Sequence, residues 1–225
     1  MTTSNPSGDD VYETLAPTDA AAFEALFDLY RSSMPTAERK SKAALQALAT
    51  RPDYRVLLLR RAGRLIGYSI TFVPPHDDFC LLEYMAVDGQ FRGGGIGAAL
   101  FRQSVDLARA GRRDVSVLLE VDSDREASPD RELRVRRQAF YQRLGCRRVA
   151  GLDYLLPLET GHAPPVMDLM ILPPTGDAVI RRAALERWLR AVYVAVYDQS
   201  PTDPRIGRMI EGMSDPVQLT GPMPH

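Results

Sequence analysis

One stretch limits what this chain can fold into more than any other. Leu81-Leu-Glu-Tyr-Met-Ala-Val87 is an apolar run of strand length. Asp88 to Arg92 follow, then Gly93, Gly94, Gly95 and Gly97, then a helical pattern with Ile96, Leu100, Phe101 and Leu107 on one side. A strand, a glycine loop and a helix start in that order aim several backbone N–H groups, and the positive end of a helix dipole, at one spot. Glycines carry no Cβ, so the backbone there can approach a bulky anion closely. Arg92 adds a full charge. The layout predicts a phosphate-binding loop.

Several loops of this kind exist. A P-loop ends in Gly-Lys-Ser/Thr, whereas Gly97 is followed by Ala98 and Ala99. A Rossmann fingerprint is matched in form by Gly93, Gly95 and Ala98. That motif opens directly from a strand at the start of its domain, and here Asp88–Arg92 intervene after a long preceding stretch. An NAD(P)-binding protein is therefore an alternative, as is a glycine loop that only caps a helix. A third reading fits better. Arg92-Gly-Gly-Gly95-Ile-Gly97-Ala98 resembles the R/Q-x-x-G-x-G/A loop of the GNAT N-acyltransferase superfamily, which holds the pyrophosphate of acetyl-CoA. The flanking Leu-Glu-Tyr-Met-Ala-Val and Ile-Gly-Ala-Ala-Leu-Phe resemble that family too. A second signature lies in Arg137-Gln-Ala139-Phe140-Tyr141-Gln-Arg-Leu144-Gly145-Cys146. It departs from the family pattern in placing Ala139 directly before Phe140 and Cys146 where an aromatic is usual. Arg136 stands where members often carry a cofactor-contacting Asn. The resemblance spans roughly Val11 to Leu172.

It implies an α/β fold with a mixed, mostly antiparallel central sheet flanked by helices. Val11–Leu15 is read as a first strand, followed by two helices, one with Phe23, Leu26, Phe27 and Tyr30 inward behind a Thr18 or Asp19 cap and one with Ala44, Leu45 and Leu48 inward. Tyr54–Arg60 and Leu65–Phe72 form a hairpin around Gly63. Val115–Val121 reads as a buried parallel strand, Asp130–Leu144 as a helix, and Arg147–Ala150 and Val166–Ile171 as the last strands. Residues 1–10 read as a disordered tail, 11–172 as the acyltransferase domain and 173–225 as a helical extension. In the extension, Asp177–Tyr197 carries Leu185, Trp188, Leu189, Val192 and Val196 on one side, and Ile206, Met209, Ile210 and Met213 repeat the spacing. That stripe must be covered by the chain's own domain or by a second subunit in a homodimer.

The resemblance implies transfer of an acetyl group from acetyl-CoA to a primary amine of a small molecule or peptide. Met85, Ala86 and Val87 would pair with the pantetheine arm. Arg92, Gly93, Gly94, Gly95, Ile96, Gly97 and Ala98 would hold the pyrophosphate, with Arg136 beside them. Tyr141, a phenol with an ordinary pKa near 10, would protonate the departing thiolate. Glu83 and Glu120 each interrupt an apolar strand, where a carboxylate needs a partner or a task; Glu83 is favoured as the base, on one face with Leu81 and Met85 while Tyr84 points to the other. The connection between the first two helices would overhang the acceptor site, with Glu38 and Arg39 as contacts, and Tyr154 could turn toward it. A non-catalytic acyl-CoA sensor is the alternative within the same fold.

Composition narrows the classes further. A formal net charge of −1 argues against a nucleic-acid or membrane-surface protein. Arginines from Arg134 to Arg148 would form either a basic strip for the phosphates or a solvated helix face. Cys80 and Cys146 make no disulfide framework and read as small core residues, fitting a cytoplasmic protein. His76, His162 and His225 are scattered, and Asp122-Ser-Asp124 lacks the glycine and closing glutamate of a calcium loop, so no metal is expected.

Overall fold

The computed structural model describes residues 3–4, 10–36, 39–125, 127–157, 166–176 and 179–221. Its elements run β1 (Thr3–Ser4), β2 (Asp10–Thr14), α1 (Ala20–Ser33), α2 (Lys42–Ala49), β3 (Tyr54–Arg61), β4 (Arg64–Phe72), β5 (Phe79–Val87), α3 (Ile96–Ala108), β6 (Ser116–Asp122), α4 (Arg131–Arg143), β7 (Arg147–Val149), β8 (Met167–Leu172), β9 (Val179–Ile180), α5 (Arg182–Ala195), α6 (Pro204–Ile210) and β10 (Val217–Thr220). The fold is α/β, with a mixed, mostly antiparallel arrangement of strands flanked by helices. The chain forms two compact units, Met1–His76 with Leu82–Arg113, and Asp77–Leu81 with Asp114–His225. Strand β5 is divided between them.

In the first unit the strand order is β1-β2-β3-β4-β5. Residues 1–10 do not all lie outside it: Thr3 and Ser4 pair antiparallel with Tyr12 and Val11. Asp10 already belongs to β2, buried in a fork from Arg61 at 2.7 and 2.9 Å. Asp19 caps α1 by accepting the Ala22 N–H at 2.9 Å, and Phe23, Leu26 and Tyr30 turn inward. In α2 only Leu45 and Leu48 are buried; Ala44, expected inward, is exposed. The β3–β4 hairpin turns through Ala62 and Gly63, both at positive φ, as a two-residue connection demands.

A bulge then decides which side chains face which helix. The register passes from Leu59↔Gly67 to Arg60↔Leu65, so Ile66 is an extra residue. Gly67 and Ser69 consequently meet α3, and Tyr68, with Ile70 and Phe72 alternating beyond it, meets α1. The Ser104 hydroxyl lies 2.6 Å from Ser69 Oγ. The Tyr68 hydroxyl lies 3.1 Å from Ser33 Oγ. A Cβ on Gly67 would sit 3.2 Å from both the Leu100 side chain and the Ala86 carbonyl. This absent methyl lets α3 lie close on the strands. Ile96 and Leu100 join Tyr12, Leu57, Leu59 and Ile66 in one core, with Met85, Val87, Phe91 and Leu107 against it. Burying Leu59 or Leu100 contributes about 1.5–3 kcal/mol each.

In the second unit the order is β5-β6-β8-β7-β10-β9. The β5–β6 pair is parallel, Phe79–Leu81 against Ser116–Leu118, and the ladder ends there; the other described registers are antiparallel. The extension is not purely helical. Helix α5 starts at Arg182 rather than Asp177, because Val179 and Ile180 are extended and pair with Gln218 and Val217 of β10. Strand β10 in turn pairs with β7. The apolar face of α5 is covered within this unit. Trp188 stacks near Phe79 at 6.0 Å and donates its indole N–H to Asp78 at 2.6 Å. Ile206, Met209, Ile210 and Met213 are buried as well. Among the described residues no helix is long and apolar enough to cross a membrane, and no cluster of His, Cys, Asp or Glu could hold a metal.

Candidate active site

The glycine loop is built from backbone conformations that its residue type allows. Asp88 closes β5 by donating its N–H to the Ile66 carbonyl at 2.8 Å, and its carboxylate caps the following turn at Gln90. Gly93, Gly94 and Gly95 then take φ of 103, 58 and 81°. Three successive residues in that region are accessible to glycine alone at low cost. A Cβ at any of them would meet nothing within 4 Å, so the space above the loop is open. Gly95 caps α3 without a side-chain bond; the Ile96 N–H turns back to the Gly93 carbonyl at 3.3 Å, which leaves the next N–H groups of the helix, those of Gly97 and Ala98, for a ligand. Ile96 is buried beneath them. Arg92 is exposed, with Nε 3.4 Å from the Val87 carbonyl.

The segment Met85–Val87 does not present all its backbone outward. The Asp88 N–H faces β4, and the Ala86 carbonyl lies beside Gly67 on the same strand. Since N–H and C=O groups alternate edges residue by residue, Met85 and Val87 carry the groups on the opposite edge. Ala86 is turned to β4 and drops out as a backbone partner.

Glu83 sits among tyrosines of the first unit. Its side chain is 5 % exposed, accepts the Tyr54 phenol O–H at 2.9 Å, and lies 3.1 Å from Lys40 Nζ. Tyr84 also reaches this group, edge-on to Tyr30 at 5.2 Å between ring centres and bonded to Glu83. Successive residues thus converge on one cluster. The strict alternation that would place Glu83 on the face of Met85, away from Tyr84, does not hold here. Burial, followed by the charge on Glu83, drives the Tyr54 and Tyr84 phenols far above their ordinary value. Lys40 has its backbone N–H donated to Tyr30 Oη at 2.9 Å. Arg39 donates to the Met34 carbonyl at 2.7 Å; Glu38 lies outside the described residues.

Glu120 belongs to the second unit. It accepts the Tyr197 hydroxyl at 2.5 Å and that of Tyr154, which turns toward it. Burial and then the Glu120 charge hold Tyr154 well above the ordinary phenol range. Tyr141 lies on α4, edge-on to Phe140. Burial pushes its phenol up to about 12, against the opposing charge of Arg137. It is therefore a weaker acid than a free tyrosine. Arg136 is on the solvent side of α4, 3.6 Å from Glu132, and the structure gives it no place in a binding group.

The arginine strip is largely matched by carboxylates. Arg134 pairs with Asp130, Arg137 with Asp122 and Arg148 with Asp168. Cys80 and Cys146 are buried and unbridged.

With this geometry in place, comparison with known proteins gives the family. The model of the acetyltransferase (GNAT) family matches residues 23–146, more than half of the chain. The chain belongs to the GNAT acetyltransferases. It is accordingly an acyltransferase, and the Rossmann alternative falls. The N-alpha-acetyltransferase RimI of Mycobacterium tuberculosis (strain ATCC 25618 / H37Rv) is 31 % identical over 128 residues, 53 % of this chain and 75 % of that protein. A solved GNAT-family chain from Bacteroides thetaiotaomicron superposes with a TM-score of 0.68 at 22 % identity, covering 84 % of this chain and 99 % of its own. The ribosomal-protein-S18-alanine N-acetyltransferase from Escherichia coli does so with 0.54 at 20 % identity, covering 74 % and 94 %. The 84 % coverage is more residues than precede the extension, so the Bacteroides fold shares part of it.

Sequence reasoning missed Lys40, Tyr54 and Tyr197. One signal for Lys40 was available: it is one of two lysines among 28 basic residues.

Proposed function

We propose that this GNAT acyltransferase moves the acetyl group of acetyl-CoA onto a primary amine by direct attack, with Glu83 as general base. The observation that carries this is the run of left-handed glycines opening an uncapped helix, in the same unit as a buried carboxylate already holding an ammonium. The open space above the glycines fits a pyrophosphate. Arg92 and the N–H groups of Gly97 and Ala98 would hold it. Met85 and Val87 offer the backbone edge for the pantetheine arm, and one of their N–H groups would polarise the thioester carbonyl. When bound, acetyl-CoA supplies the activated acetyl group; no nucleophilic side chain is required of the protein.

Glu83 accepts a proton from the incoming amine and, by its charge, favours an ammonium over a neutral acceptor. Tyr141, with its phenol raised to about 12, keeps its proton through the neutral range. It serves by hydrogen-bonding the departing sulfur rather than by full transfer to a thiolate of ordinary pKa near 8.5. The likeness to an N-alpha-acetyltransferase at 31 % identity supports trying peptide N-termini before small-molecule amines.

The experiment is calorimetry with acetyl-CoA on the wild type and on Gly95→Asp, followed by thiol release with a panel of amines. A Cβ at Gly95 meets nothing in the protein, but at a φ of 81° any side chain strains the backbone, so the substitution sets both a negative charge and a distorted loop against the anion, and Gly95→Ala carries the strain alone. Binding in the wild type and loss in the variant support the reading. Equal affinity in a folded variant would refute it. Binding without thiol release on any amine would favour the sensor alternative.

A further inference from the structure

We propose that Lys40 is a self-acetylation site of this enzyme. The inference rests on the reading of Glu83 as the base that prepares the acceptor nitrogen. The first observation is placement: Lys40 Nζ is 3.1 Å from Glu83 Oε1, and that carboxylate is almost wholly buried. A primary amine of the chain already occupies the position an acceptor amine would take. Its backbone is fixed beside the site by the bond to Tyr30 Oη.

The second observation is residue choice. Of 28 basic residues, 26 are arginine, and the two lysines are Lys40 and Lys42. Where a buried carboxylate needs only neutralising, this chain uses arginine, as at Asp10 with Arg61 and at Asp168 with Arg125. An arginine stays protonated and is no nucleophile, whereas a lysine can give up its proton and attack a carbonyl. At Glu83 the chain has placed the one cation type that can be acetylated.

The step balances with acetyl-CoA as co-reactant. The Lys40 ammonium gives one proton to Glu83, which passes it to solvent. The nitrogen lone pair forms the N–C bond to the thioester carbonyl, and the C–S bond breaks. The second proton leaving nitrogen ends on the thiolate, giving an amide, free CoA thiol and one released proton. Acetylation removes the ammonium charge, so Glu83 loses this partner and can receive a substrate ammonium in its place.

Lys42 is a built-in control. It pairs with Glu24 at 2.7 Å, and both side chains are about half exposed. The full chain is incubated with heavy-labelled acetyl-CoA and fragmented with chymotrypsin, and acetyl at Lys40 and Lys42 is counted by mass spectrometry, heavy label and any acquired during expression. Lys40 should acquire acetyl about 10²-fold faster than Lys42, the scale of general-base assistance. Glu83→Gln and, independently, Gly95→Asp should bring it down to the Lys42 rate. Labelling of Lys40 no faster than Lys42, or undiminished in Glu83→Gln, overturns the proposal. If acetyl-CoA binding and amine turnover persist in that case, the proposed function survives and only the self-acetylation falls; if binding is also absent, both fall.

Discussion

Glu83 and Glu120 have the same setting in sequence, a carboxylate inside an apolar strand, and the fold gives them different company. Glu83 is held by the Tyr54 and Tyr84 phenols and by one ammonium on a long, flexible stem. Glu120 is held by the hydroxyls of Tyr154 and Tyr197, both on rings the fold keeps at least partly buried. An ammonium can be exchanged for another ammonium with no change in charge. A directional bond from a fixed ring has no such substitute. The difference separates a carboxylate arranged to trade partners from one arranged to keep them. It favours Glu83 for chemistry and Glu120 for holding Tyr154 and the end of α5 in place.

The sharpest way to break this contrast is to neutralise each carboxylate in turn. Glu83→Gln should lower kcat/KM for amine acetylation by roughly 10²–10⁴-fold and abolish the acidic limb of its pH profile, with acetyl-CoA affinity retained. Glu120→Gln should leave turnover within about tenfold, far short of a lost general base. Steady-state kinetics across pH decides it, and the reverse ranking would exchange the two roles. A smaller effect, about 10²-fold in kcat at the low end for a lost proton donor, is expected from Tyr141→Phe. Since its phenol is pushed to about 12, wild-type activity should show no alkaline loss from this group below about pH 11. A decline near pH 10 that Tyr141→Phe removes would contradict that assignment.

Stability tests the other half of the contrast. Tyr197→Phe should cost about 1.5–3 kcal/mol, the worth of a hydrogen bond to a charged group, with kcat unmoved; urea midpoints measure it. Least in size is the alkaline effect. Tyr54, Tyr84 and Tyr154 are raised in the fold, whereas unfolded tyrosine ionises near 10. The stability they contribute is fully present below pH 10 and declines as pH climbs beyond it. Tyr154→Phe should shallow that decline in urea midpoints taken from pH 9 to 11. An unchanged slope would remove the phenol from the account.

Much of this was legible in the chain. The positive φ of Gly93–Gly95 follows from residue type, the hairpin from Ala62-Gly63, and the inner face of α1 from the spacing of Phe23, Leu26 and Tyr30. What escaped depends on register and on distant partners. The extra residue Ile66 looks like any other apolar position of β4, yet it sets which neighbours face α3. The short strands β9 and β10 are too brief for periodicity to stand out, although Val217 and Leu219 are buried while Gln218 and Thr220 are not. Lys40 reaches Glu83 across 43 positions of sequence, a pairing that no local pattern encodes.

The missing methyl at Gly67 has a practical consequence. Its nearest neighbours are the Ala86 carbonyl and the Leu100 side chain, one just before the donor loop and the other on the helix that starts from it. Anyone diversifying this enzyme would aim at exposed loops and leave a buried glycine alone. Yet a single added carbon there must displace either strand or helix by a few tenths of an ångström, and the loop between them has to follow. Gly67 is thus a buried position from which one added carbon would shift the strand end and the helix start that carry the glycine loop, without altering any residue of the loop itself.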